Sequence, residues 1–239
     1  MKQSIADILS LTGWGLLLGL VVVGALSVGW ELMAWQGFGY RWLHDLIGIG
    51  ATVEHYGPLN PLRPDFHLTS LDQRVRLFIA IVDAIHHQGE GLQTLAYFHA
   101  DGQRIGLLLT KAEIIHLTDV ARLVAWLRPA GWVALSMALF GTAWVCVRGQ
   151  RLPGRRLFGV FISAICLVAA VLWVFGAEAV FYWLHTVIFP AGHQWFFYYE
   201  ESLMSMMMQA PDLFGAIALI WALLTVAIIS IWSQAFRRS

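Results

Sequence analysis

Charge is what this chain has least of. Of its 239 residues only 13% are Asp, Glu, Lys or Arg, with 15 basic side chains balancing 15 acidic ones. A soluble domain carries roughly 25% charged residues to keep its surface wet, so an ordinary globular fold is excluded. The zero net charge leaves no field that would draw the chain to nucleic acid. Cysteine is almost as scarce. Cys146 and Cys166 are the only two, both inside long apolar runs, which excludes a disulfide scaffold. Disorder is excluded by the apolar share of 59%. What is present is hydrophobic length, with a mean hydropathy of +0.67. The expectation is an integral, all-α membrane protein.

Four stretches lack Asp, Glu, Lys and Arg and are long enough to span: Ile8–Trp30, Pro129–Val147, Leu157–Ala177 and Leu213–Phe236. A hydrocarbon core about 30 Å thick needs about 20 helical residues. Each stretch also carries Trp, an interfacial anchor. The first has small residues at Ala25 and Ser27 that would suit signal cleavage. Its apolar run exceeds the roughly 7–15 residues of a signal core, so retention as an anchor is expected. Arg148, Arg151, Arg155 and Arg156 lie between the second and third spans, and Arg237 and Arg238 near the C-terminal end. Basic short loops stay cytoplasmic. Both termini are therefore expected in the cytoplasm, with 31–128 and 186–210 outside. The third helix is expected to run on to His185, giving spans of about 8–30, 129–147, 157–185 and 213–236 in one membrane domain.

The outer segment 31–128 reads as mainly helical. Ser70-Leu71-Asp72-Gln73 and Thr110-Lys111-Ala112-Glu113 are capping-box patterns. Apolar residues follow the second at helical spacing, from Ile114 through Leu117 and Val124 to Leu127. Between the boxes, Leu95–Leu109 with Asp101-Gly102 suggests a short hairpin.

Nine histidines in so uncharged a chain need an account. His44, His55 and His67 fall in loop-like sequence and read as surface residues. His86 and His87 are neighbours pointing about 100° apart on a helix, and His99 beside Asp101 reads as a turn. No set of three ligands has metal-site spacing, so no metal or other cofactor is expected. His116 differs, because Glu113 and Asp119 both lie three residues away, where either carboxylate would fix its tautomer. A helix with a merely solvated charged face would show the same spacing. His185 shares a helical face with Glu178 and Tyr182, and an ionisable residue bordering a span is a functional candidate. An interfacial belt of Tyr, His and Trp is the alternative there. Beyond it, Phe189, Trp195 and the run Phe196-Phe197-Tyr198-Tyr199, followed by Met204, Met206, Met207 and Met208, offer surface for acyl chains or for plain anchoring.

The string Glu113-Ile114-Ile115-His116-Leu117-Thr118-Asp119-Val120, taken with Leu184-His185 through Phe189-Pro190 and Trp195, resembles the bacterial lipoprotein intramolecular transacylases. The motifs of that four-span family read His-Met-x-Asp-Val and Phe-His-x-x-Phe-Phe, with a downstream Asn-x-Trp-like element. The departures here are Leu117 for Met, Leu184 for Phe, Ile188 for the first Phe of the pair, and Gln194 near the Trp. The resemblance covers the topology and the stretches 113–120 and 184–195.

The resemblance implies an acyltransferase whose substrate is a diacylated lipoprotein in the membrane lipid. It would move the sn-2 acyl chain of the diacylglyceryl group onto the α-amine of the lipoprotein's N-terminal cysteine, leaving a lyso-form lipoprotein. His116 and His185 would be the catalytic pair, with Glu113, Asp119, Glu178 and Tyr182 orienting them and Phe189 and Trp195 against substrate. Acid–base chemistry suffices for such a transfer. A membrane haem or redox protein, with histidines as axial ligands, and a non-enzymatic scaffold remain as alternatives. A quinone-linked disulfide oxidase would need outward-facing cysteine pairs that this chain lacks.

Overall fold

The computed structural model describes residues 2–150 and 154–238, with side chains described for 12–150, 159 and 162–234. Lys2, Arg151, Arg155, Arg156, Arg237 and Arg238, which carry most of the orientation argument, lie outside the described side chains. The chain is helical almost throughout: α1 (Lys2–Trp35), α2 (Tyr40–Leu46), α3 (Ile49–Tyr56), α4 (Leu71–His86), α5 (Lys111–Val147), α6 (Gly154–Phe175), α7 (Ala177–Ile188), α8 (Leu203–Met206) and α9 (Asp212–Arg238). Among the described residues, one hairpin, β1 (Ala96–Phe98) and β2 (Arg104–Leu107), interrupts them.

Contacts divide the chain into two compact units. The first joins α1 up to Leu32, α5 from Arg128, α6 and the C-terminal part of α9 from Ile220. Trp14, Leu17, Val21 and Ala25 of α1 pack with Ala138 and Ile229. Gly24 lets the backbone of Leu135 come so close that an added Cβ would sit 3.0 Å from its Cα. Small residues serve this purpose where lipid, as apolar as leucine, gives helices no hydrophobic reason to associate. The Trp221 indole donates to the Leu26 carbonyl at 2.8 Å, and Arg128 forks onto Glu31 at 2.7 and 3.1 Å. Outside this core Phe140, Trp144, Leu167, Trp173 and Leu223 are exposed, a surface suited to hydrocarbon rather than water.

Among the described residues, three helices are long and apolar enough to cross a bilayer alone: Thr12–Trp35, Lys111–Val147 and Asp212–Gln234. The expected straight third helix to His185 does not form. α6 and α7 pass the same test only as a pair bent by 100°. Gly176 causes the break, with φ +82, a left-handed conformation that side-chain-bearing residues resist. Its N–H closes α6 on Leu172 and its carbonyl accepts from Val180 to open α7. A second difference lies at Pro129, expected to begin a span. It sits inside α5, which runs unbroken for 37 residues from the capping box.

The second unit comprises 33–127 and 181–219. Both capping sites form. Thr110 Oγ1 accepts from the Glu113 N–H at 3.3 Å, and the Glu113 carboxylate accepts from the Thr110 N–H at 2.6 Å. Ser70 accepts from the Gln73 N–H, but the Gln73 amide turns away to pair with the backbone of Phe98 in β1. That exchange ties the hairpin to α4. The Asp101-Gly102 turn is as expected, the Gly102 N–H donating to His99 at 3.0 Å. Tyr40 stacks on Phe78 at 4.3 Å and donates to the Met207 carbonyl at 2.9 Å.

Two expectations are corrected here. His44 is buried rather than on the surface: its Nε2 accepts from Arg74 and its Nδ1 donates to Asp45. Neighbouring Arg74 is itself buried and anchored on the Thr69 carbonyl, so the imidazole completes the satisfaction of a buried cation. Met204, Met206, Met207 and Met208 are likewise core residues, between 0 and 5% exposed, and present no thioether surface to lipid. Met fills irregular gaps between short elements, and this is what the run does here.

Candidate active site

The second unit brings His116 and His185 together. His116 lies one and a half turns into α5, one helical turn past Glu113, and His185 lies in the last turn of α7. Their rings stack with centroids 6.1 Å apart and planes at 24°. Phe189 packs against both, at 4.8 Å from His116 and 5.2 Å from His185. Phe197 closes on His116 at 5.9 Å, and Phe181 and Trp195 on His185 at 4.0 and 5.0 Å. Tyr182 extends this wall by packing on Trp195 at 5.6 Å. The segment after α7 reaches the rings because Pro190 and Gly192, with φ +90, turn the chain back.

The imidazole nitrogens are differently placed. His185 Nδ1 lies 2.8 Å from the Phe181 carbonyl. A carbonyl only accepts, so Nδ1 carries the hydrogen and Nε2 keeps the lone pair. His116 is buried, and its Nδ1 has no hydrogen-bond partner. A buried polar atom left in this way is a costly feature that calls for a reason, and function is one of the few.

The carboxylates do not serve His116 as expected. Glu113 is fully buried and saturated elsewhere. Besides the cap, it accepts from the Ser202 hydroxyl at 2.5 Å and the Met204 N–H at 3.2 Å, with Arg63 Nη2 at 3.6 Å. It fastens the start of α8 to the start of α5. Asp119 accepts from Arg122 at 3.2 Å through one oxygen and faces His193 Nδ1 at 2.5 Å through the other. The partner of His185 is the Phe181 carbonyl, while Glu178 is exposed in the first turn of α7. His193 is the residue that sequence reasoning passed over. Its only signal was a histidine just after a Pro-Ala-Gly turn, and nothing in that string points 74 residues back to Asp119. Among the described residues, no group of three or more His, Cys, Asp and Glu converges to hold a metal ion.

Apolar helices long enough to cross a bilayer, with a stacked histidine pair walled by aromatic rings, mark a multi-pass membrane protein. The profile of the lipoprotein intramolecular transacylase Lit matches residues 90–214, more than half the chain and the whole histidine site. The chain belongs to this lipoprotein intramolecular transacylase family. Its fold is that of the membrane-integral lipoprotein intramolecular transacylase Lit from Bacillus cereus. One structure of that protein aligns with a TM-score of 0.68 at 11% identity, covering 97% of this chain and 95% of the other. A form carrying a histidine-to-arginine mutation aligns with a TM-score of 0.63 at 15% identity, over 100% and 96% of the two chains. A histidine-to-alanine form gives 0.64 at 13%, over 100% and 98%. Comparison with curated protein sequences gave no match.

Proposed function

We propose that the protein moves the sn-2 acyl chain of a diacylglyceryl-modified lipoprotein onto the α-amine of its N-terminal cysteine, yielding the lyso-form. The observation that carries this reading is the stacked pair His116 and His185 inside an aromatic wall. Donor ester and acceptor amine belong to one molecule, so holding them in register supplies much of the rate. The amine nitrogen attacks the ester carbonyl, a C–N bond forms, and the C–O bond to the glyceryl carbon's oxygen breaks. The nitrogen loses a proton as the oxygen gains one. The His185 Nε2 lone pair receives that proton, and one of the two rings returns a proton to the departing oxygen. Phe189 and Trp195 hold the acyl chains against the rings. Neither step requires a metal or other cofactor.

On this reading the chain crosses the membrane four times, with both termini cytoplasmic and the bent α6–α7 pair counted as the third span. The histidine site then faces the outer side, where 31–128 and 186–210 lie. A lipoprotein anchored in the same leaflet meets it without leaving the bilayer.

The test is expression of His116→Ala and His185→Ala in a host that makes only diacylated lipoproteins, at matched membrane levels. Mass spectrometry of a lipoprotein's N-terminal peptide then measures the N-acylated lyso-form. A positioned acid or base contributes about 10²–10⁴-fold, so each variant should lose nearly all product. Product at the wild-type rate from either variant refutes the pair.

A further inference from the structure

The short helix α2 turns three chemically different sides to its surroundings. Successive residues step about 100° around a helix, so positions four apart share a side. Tyr40, Leu43 and His44 form a buried side. Arg41 and Asp45 form a charged one: Arg41 pairs with Asp72 at the start of α4, and Asp45 accepts from His44 Nδ1 at 2.9 Å. Trp42 and Leu46 form the third side, and they are 76% and 78% exposed. Apolar residues scattered singly are ordinary on a wet surface, but two large ones on the same side of a helix mark an interaction surface.

Where α2 begins decides what covers that side. The apolar stretch Thr12–Trp35 of α1 is 24 residues long. At 1.5 Å per residue that is about 36 Å, somewhat more than a hydrocarbon core of about 30 Å, so Trp35 emerges at headgroup level. Trp35 is 80% exposed, and an indole at that depth is an interfacial anchor. The four residues between α1 and α2 are folded tightly. The Gln36 N–H donates to the Met33 carbonyl at 3.0 Å and the Gly39 N–H to the Gln36 carbonyl at 3.2 Å. Gly37, Phe38 and Gly39 turn the chain with φ of 57, 52 and 70. From there the seven residues of α2 reach only about 10 Å. The headgroup layer on each face of a bilayer is itself about 5–7 Å thick, so Trp42 and Leu46 stay beside lipid.

We infer that α2 is an interfacial helix whose Trp42–Leu46 side is seated in the headgroup region of the bilayer that α1 crosses. The inference needs α1 to span the membrane and nothing of the transfer reaction. Each side of the helix suits that seat. Trp and Leu meet the acyl boundary, with the indole N–H left for the wet layer. Arg41 and Asp45 keep their charges in water. The buried side carries the seat into the unit, since Tyr40 stacks on Phe78 at 4.3 Å and donates to the Met207 carbonyl at 2.9 Å. Met207 directly follows α8, and Ser202 at the start of α8 donates to Glu113, one turn before His116. A short chain of contacts therefore leads from the seated helix to the helix that carries His116.

The test uses the full-length protein with Cys146→Ser and Cys166→Ser and one new cysteine carrying an environment-sensitive fluorophore. The positions are Trp42→Cys and Leu46→Cys on the proposed seat, Arg41→Cys on the charged side, and Phe140→Cys on the exposed apolar side of α5. All four are exposed, so the label replaces no core contact. Each protein is reconstituted at a high lipid-to-protein ratio in vesicles of phosphatidylcholine and phosphatidylglycerol. Nitroxide lipids with the radical high on the acyl chain, or near its end, then report depth. Labels at Trp42→Cys and Leu46→Cys should emit to the blue of the label at Arg41→Cys and lose more emission to the shallow nitroxide than to the deep one. Phe140→Cys should show the opposite order. Labels on the proposed seat that stay as red and as unquenched as at Arg41→Cys overturn the inference. A blue shift without quenching by either lipid also overturns it, because a protein surface such as a second copy then covers the side. Quenching in the deep order of Phe140→Cys does the same, since it places α2 in the hydrocarbon core.

Discussion

Glu113 is the carboxylate whose position most changes its expected role, and its replacement can be worked through. It is 0% exposed and accepts from the Thr110 N–H, the Ser202 hydroxyl and the Met204 N–H, with the buried Arg63 guanidinium at 3.6 Å. Hydrogen bonds to a charged acceptor contribute about 1.5–3 kcal/mol each, but they do not add here. Ser202 Oγ already accepts from Met204 N at 3.0 Å, and Arg63 keeps the Leu108 and Leu62 carbonyls. What Glu113→Ala leaves is a buried guanidinium without its counter-charge, a loss of about 3–5 kcal/mol. For a chain of this length each kcal/mol moves the Tm by about 2–4 °C, so a fall of about 6–20 °C is expected. Glu113→Gln keeps one acceptor oxygen and should lose less, about 1–3 kcal/mol. Tryptophan fluorescence during heating in detergent measures both. Activity per folded molecule of Glu113→Gln, measured well below its Tm, should stay within a few-fold of wild type. An unchanged Tm with activity abolished would refute the argument and return Glu113 to an orienting role toward His116.

Three smaller predictions concern the same unit and the topology. Tyr40→Phe strands the buried Met207 carbonyl and should destabilise by about 1–2 kcal/mol in the same melt. Burial pushes the Tyr40 pKa up, so the hydroxyl stays a donor and this loss should not vary between pH 6 and pH 9. Met206→Ala, at a position 0% exposed, should cost about 2–5 kcal/mol, whereas the same change at a lipid-offering surface methionine would be nearly silent. With Cys146 and Cys166 replaced, a cysteine at Gln103 should label from outside the cell and one at Gln150 should not. The reverse pattern would invert the proposed orientation.

The local features of this protein were legible because each is written in adjacent residues. Thr110 and Glu113 are three apart, and a cap needs nothing else. The Asp101-Gly102 turn and its flanking strands follow from the same kind of short-range chemistry. The histidine pair was found through motif spacing rather than physics, since 69 residues separate the two rings. What stayed hidden depends on contacts that no local pattern encodes. Gly176 resembles any other small residue in an apolar run until its φ of +82 is known. Asp119 is equally close in sequence to His116 and Arg122, and its actual second partner, His193, comes from another element altogether. His44 looked exposed because its burial rests on a cation, Arg74, that lies 30 residues away.

The wall of Phe181, Phe189, Trp195 and Phe197 bears on what the enzyme refrains from making. On the proposed transfer, an ester held beside the imidazoles is open to any nucleophile, and water competes with the amine for the same carbonyl carbon. Hydrolysis would release a free fatty acid and leave the lipoprotein's amine bare, a product worse than none. Rings packed about 4 to 6 Å from the two imidazoles set apolar surface against them. Excluding water from a closed site suppresses this kind of side reaction. On the proposed transfer, the aromatic lining would set the partition between transfer and hydrolysis, and a site opened by trimming Phe189 would spill fatty acid in proportion to the water it admits.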